Sequence, residues 1–167
     1  MRTAAKLVVS CVLFASTSAC GGGGEATATE RLWVSAVPTN PKMPITAFAT
    51  TRHGDAYLGA FFSGTALRGS HDTFRWRPTG KARAELEFLQ DGAKVDLQLD
   101  TCKPTTGFDH CLLVLGDPTG AVRYQSRKRW VVKRPGRRKS TAMVLDALSE
   151  LATDDADVSL WLSTDEP

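Results

Sequence analysis

The chain is 167 residues long, with 21 basic and 18 acidic side chains, a formal charge of +3, 42% hydrophobic residues and four cysteines. So nearly balanced a charge does not imply a nucleic-acid-binding protein, which carries a strong basic excess. Read from the N-terminus, Met1 to Lys6 is a short positive segment and Leu7 to Ala15 an apolar run. Ser16 to Ala19 is a small-residue exit, and Cys20 follows at once. A charged start, a short apolar middle and a small-residue exit describe an export leader, here residues 1–19. The apolar run is far shorter than the roughly 20 residues a membrane-spanning helix needs.

With Cys20 after Ala19 and before Gly21 to Gly24, the leader resembles that of bacterial lipoproteins. The resemblance implies that Cys20 is acylated, becomes the new N-terminus and moors the protein to a membrane. It also favours the outer membrane, because Gly21 is not the acidic retention signal of the family. Acyl chains contribute roughly 0.8 kcal/mol per buried methylene, so such an anchor is effectively permanent. Residues 20–29, glycine-rich and then Glu-Ala-Thr-Ala-Thr, read as a flexible tether with a reach on the order of 15–20 Å. Cys11 leaves with the leader and Cys20 takes the lipid, so Cys102 and Cys111 remain as one pair in an oxidising compartment. They lack Cys-x-x-Cys spacing, and the expectation is a structural staple rather than a redox pair.

Residues 30–167 form one domain of ordinary size. Leu32 to Val37 reads as a first strand, Ile45 to Thr51 and Tyr57 to Leu67 as the next two. Strict alternation follows: Phe74 and Trp76 between Thr73, Arg75 and Arg77; Ala82, Ala84, Leu86 and Phe88 between Arg83, Glu85 and Glu87; Val95, Leu97 and Leu99 between Asp96, Gln98 and Asp100. Cys111 to Leu115 is apolar throughout, then Val122 and Tyr124 alternate with Arg123 and Gln125. Period two with one polar face predicts an antiparallel sheet over a core. Pro78 to Gly80, Asp91-Gly92 and Asp117 to Gly120 are turn signals. The fold class is therefore mainly β, an antiparallel meander closing into a barrel or sandwich. After Gly136, Val144, Leu145, Leu148 and Leu151 change the period to that of a helix over about 141–153, with Ser140 as N-cap. Val158, Leu160 and Leu162 predict a closing strand. In layout this is similar to lipocalin-like barrels, without their glycine-x-tryptophan signature; Asp72 to Trp76, Val95 to Leu97 and Asp117 to Gly120 also resemble the bacterial pre-peptidase C-terminal β-sandwich.

No cofactor or metal is implied. His53, His71 and His110 each have an aspartate nearby, but not at ligand spacing, and they read as surface turn residues. Asp154-Asp155-Ala156-Asp157 reads as a solvated turn. No serine sits in a nucleophile elbow, and Glu85 and Glu87 read as polar exterior. The distinctive stretch is 123–140, with nine basic residues and no acidic one. If the strand runs on past Gln125, Arg123, Arg127, Arg129 and Lys133 project from one side, opposite Trp130 and Val132. Arg134, Arg137, Arg138 and Lys139 extend the cluster. The expected partners are the membrane, through the lipid, and an anionic envelope component or acidic protein through these cations; the alternative is a soluble exterior that resists strand pairing. Three functions follow. The first is a non-catalytic binding or structural module of the cell envelope. The second is a lipocalin-like carrier whose cavity is lined by Phe61, Phe74, Trp76 and Phe88. The third is an envelope hydrolase without nameable catalytic residues.

Overall fold

Eight strands follow from the alternating runs: β1 Leu32–Val34, β2 Ile45–His53, β3 Ala56–Thr65, β4 Arg68–Gly80, β5 Arg83–Phe88, β6 Lys94–Thr101, β7 His110–Leu115 and β8 Arg123–Ser126. Each pairs antiparallel with the next, and β8 closes on β1 where Val34 faces Gln125. The meander is thus a closed barrel. This computed structural model describes residues 28–40, 42–65, 68–132 and 142–162, and for 142–147 and 160–162 the backbone alone. The leader, Cys20, Lys133, Arg134, Arg137, Arg138, Lys139 and the Ser140 cap lie outside the described residues.

The inward positions of the period-two pattern form one core. Trp33, Phe48, Phe61, Phe74, Trp76, Leu86, Leu97, Leu112 and Tyr124 come from all eight strands and are all buried. An eight-stranded barrel is just wide enough for side chains to fill. Phe48 packs edge-on to Tyr124 with ring centres 4.9 Å apart, and stacks on Trp76 at 6.1 Å. A glycine makes room for this filling: a Cβ on Gly59 would stand 2.2 Å from the Phe74 ring.

The first strands are apolar on both faces, so their outer side also needs cover. Leu32, Val34, Ile45, Ala47, Ala49 and Ala60 form a second cluster with Trp130, Val132 and Val158, flanked by Leu148 and Leu151. The cover comes from α1 (Ala142–Asp154) and α2 (Ala156–Leu162). On β4, β5 and β6 the outer face is charged instead. Arg75 pairs with Glu87 at 2.9 Å, Arg77 with Glu85 at 3.4 Å and Lys94 with Glu85 at 3.1 Å, which makes Glu85 and Glu87 parts of an ion-pair ladder. The Lys94 hydrogen bond, with the Lys94 and Arg77 charges, holds the Glu85 carboxyl below its ordinary pKa against the opposing effect of desolvation.

Several sequence expectations need correction. The closing strand at Val158 to Leu162 is α2: β8 already closes the sheet on β1, and Asp155 caps a helix by accepting a hydrogen bond from the Asp157 amide at 3.1 Å. Ahead of β1, Ala28 and Thr29 are buried against the barrel, and the Ala28 carbonyl accepts the Trp33 indole N–H at 2.9 Å. β1 stops at Val34, and β4 runs through Pro78 to Gly80, its turn falling at Lys81 and Ala82, where Ala82 has φ 60°.

Candidate functional site at the cationic end of the barrel

β8 ends at Ser126, so the basic run leaves the sheet before Arg127. The chain turns there, the Trp130 amide donating to the Arg127 carbonyl at 2.9 Å. It then runs beside the start of the domain. The Leu32 amide donates to the Trp130 carbonyl at 3.0 Å, the Val132 amide to the Glu30 carbonyl at 2.9 Å, and Arg31 forms a bridge with Val131. Chain entry and the start of the basic segment are therefore hydrogen-bonded neighbours.

The cations expected to share one strand face have separate tasks. Arg127 is mostly covered: it reaches Asp157 at 2.7 Å and Asp155 at 3.5 Å, with its guanidinium 5.0 Å over Trp130 and 5.7 Å over Phe108. Arg129 gives Asp155 two contacts, 2.8 Å from Nε and 2.7 Å from the terminal nitrogen. The Trp130 indole N–H donates to the same carboxylate at 2.6 Å. Arg127 and Arg129 thus both pair with the helical arm, and with β8 ended at Ser126 they do not form the one-sided strand row; the Arg129 side chain remains 61% exposed. Arg123 does lie on the exposed outer face, its Nε 3.3 Å from Cys111 Sγ and its terminal nitrogen donating to the Lys103 carbonyl at 3.0 Å. Trp130 and Val132 are buried, although no continuous strand places them opposite the cations.

Sequence reading missed Asp155, which is 4% exposed and is no solvated turn. Burial alone would raise its pKa; the hydrogen bonds from Trp130, Arg129 and the Asp157 amide, with the Arg129 charge, outweigh that and leave it lowered. The available signal was an aspartate directly before an apolar, helix-length run, a cap signature.

The loop between β6 and β7 builds the rest of this end. A disulfide joins Cys102 to Cys111 across nine positions. Thr105 donates from both amide and hydroxyl to Gln125 Oε1 at 2.7 Å, and the Asp109 carboxylate accepts the Lys128 amide at 2.7 Å. Phe108 meets Trp130 edge-on at 5.9 Å. Beside them, His110 has its pKa lowered by burial and by the Arg31 charge, and Arg31 is itself lowered by burial against the pull of Asp109. Such a disulfide marks an oxidising, extracytoplasmic location.

The three histidines lie apart: His53 ends β2, His71 stands in β4 with its ring 5.1 Å from Phe62, and His110 starts β7. Among the described residues no three metal-ligating side chains come together. At the opposite end, the Tyr124 hydroxyl donates to Asp117 at 2.6 Å and the Thr119 hydroxyl bonds the same carboxylate. Burial and this carboxylate raise the Tyr124 pKa. The rings expected to line a carrier's cavity, Phe61, Phe74 and Trp76, pack with Phe88 into the core, and the space left beside Phe61, Phe74, Trp76 and Leu86 measures about 10 Å³. That is room for about one water.

No family model matches the chain, and no curated protein or solved structure is detectably similar to it.

Proposed function

We propose that this is an exported protein moored through acylated Cys20 at the cell envelope, where it serves as a non-catalytic binding or structural module that meets an anionic surface with its cationic end. The observation that carries the reading is the pairing of Glu30 to Leu32 with Trp130 to Val132. The tether enters the domain beside the point where the sequence runs into Lys133, Arg134, Arg137, Arg138 and Lys139. A glycine-rich linker of seven residues reaches about 15 Å, so with residues 21–27 as that linker an anchor at Cys20 would keep this end close to the bilayer. Exposed Lys103, Arg123 and Lys128 belong to the same end. A lipid plus a basic patch is a two-signal attachment, each cation near an anionic surface contributing about 1 kcal/mol. The packed interior favours a role for the outside of the barrel over a carrier's cavity.

Fractionation with acyl labelling tests the anchor. Wild type should label and sediment with membranes, and Cys20→Ala should do neither; equal labelling of both would end the lipidation reading. The surface is tested on the mature domain with anionic vesicles. Lys103→Glu, Lys128→Glu and Arg137→Glu together should weaken salt-sensitive binding at least tenfold while the far-ultraviolet spectrum is retained. Unchanged binding would remove the surface.

A further inference from the structure

The guanidinium of Arg123 does something the staple function of the disulfide does not require. On β8 it lies diagonally across from Cys111 on the outer face of the barrel, with Nε 3.3 Å from Cys111 Sγ. It is held there by its second bond, to the Lys103 carbonyl at 3.0 Å. The two sulfurs are unequal. Cys111 is buried, 5% exposed, whereas Cys102 is half-buried at the mouth of the loop and next to exposed Lys103. A fixed positive charge beside one sulfur favours its thiolate form, and a better-stabilised thiolate leaves faster in exchange.

We propose that Cys102–Cys111 is a thiol–disulfide exchange site for a small anionic thiol, with Cys102 as the sulfur attacked and Cys111 as the leaving group stabilised by Arg123. The thiolate of the incoming molecule attacks Cys102 Sγ and forms a mixed disulfide. The Cys102–Cys111 bond breaks and its electron pair stays on Cys111 Sγ, which leaves as a thiolate beside the Arg123 guanidinium. A second thiolate attacks the small-molecule sulfur of the mixed disulfide, releasing Cys102 as a thiolate and a small-molecule disulfide. Two thiols are thereby oxidised and one protein disulfide reduced, a balanced two-electron exchange. Lys103 and Arg123 supply a positive approach for an anionic reagent. Opening the bond frees the stretch that carries Phe108, whose ring touches Trp130 and the Arg127 guanidinium.

The test uses the folded, oxidised mature protein with 2-mercaptoethanesulfonate as anionic probe and cysteamine as cationic probe, trapped by alkylation and read by mass spectrometry. Trapped early, the mixed disulfide should sit on Cys102 with Cys111 alkylated. At equal thiolate concentration the anionic probe should react faster, and added salt should narrow the difference. Arg123→Gln should slow exchange with either probe roughly three- to tenfold, and Arg123→Lys should recover much of the rate. A merely structural Arg123 predicts the opposite sign, because a loosened loop is reduced faster. Mixed disulfide on Cys111, or a rate in Arg123→Gln equal to or above wild type, would overturn the proposal. If that variant does not fold, the position of the mixed disulfide and the probe preference in wild type decide it.

Discussion

Two buried polar groups behave oppositely because one is partnered and the other is not. The Asp155 carboxylate satisfies Trp130, Arg129 and the first turn of α2. Asp155→Ala removes the acceptor that the buried Trp130 indole N–H and the Arg129 guanidinium share, and should cost about 1–3 kcal/mol in urea unfolding. Asp157→Ala removes a pair whose carboxylate is 39% exposed and should cost less than about 1 kcal/mol. Thr51 has a fully buried hydroxyl with no hydrogen-bond partner among the described residues. Valine keeps its shape and its preference for a strand while removing the unpaired group. Thr51→Val should therefore raise stability by about 1 kcal/mol, seen as a higher urea midpoint at unchanged slope.

At the scale of elements, Asp155 makes the seat of the helical arm sensitive to acid. Its pKa is lower in the folded protein than in the unfolded chain, so the stability it confers is complete above the unfolded value, about pH 4. That stability is lost as pH falls through the lower, folded value. Trp130 fluorescence should report loosening of the arm only in that acid range, and Asp155→Ala should lose this component of the pH profile; a wild-type transition near neutrality would contradict it. The strands were legible because one face is buried and the other wet, which period two records directly. Val158, Leu160 and Leu162 misled for the same reason: three apolar residues at period two fit a strand, and only the capping geometry of Asp155 decides for a helix. Arg127 and Arg129 were legible as cations, but not as partners of Asp155 and Asp157. That pairing joins residues more than 25 positions apart through a tertiary contact that no local pattern encodes.

At the scale of the whole domain, the barrel wall is matched to the side chains that fill it. Gly59 on β3 and Phe74 on β4 face each other in register, and the missing side chain of one is the space taken by the other. A double-mutant cycle separates this match from general tolerance of the barrel. Gly59→Ala alone pushes a methyl to 2.2 Å from the Phe74 ring and should destabilise by overpacking, about 1–3 kcal/mol. Phe74→Ala alone removes a fully buried ring from the core and should cost about 3–5 kcal/mol. In the Phe74→Ala background the added methyl no longer meets the ring and is left only with the Ala49 carbonyl oxygen at 2.9 Å, so the cost of Gly59→Ala should fall without disappearing. The coupling should then be at least about 1 kcal/mol, read from urea midpoints of the four proteins. Simple additivity would mean that the interior can adjust around either residue, and the case against a ligand-holding interior would weaken with it.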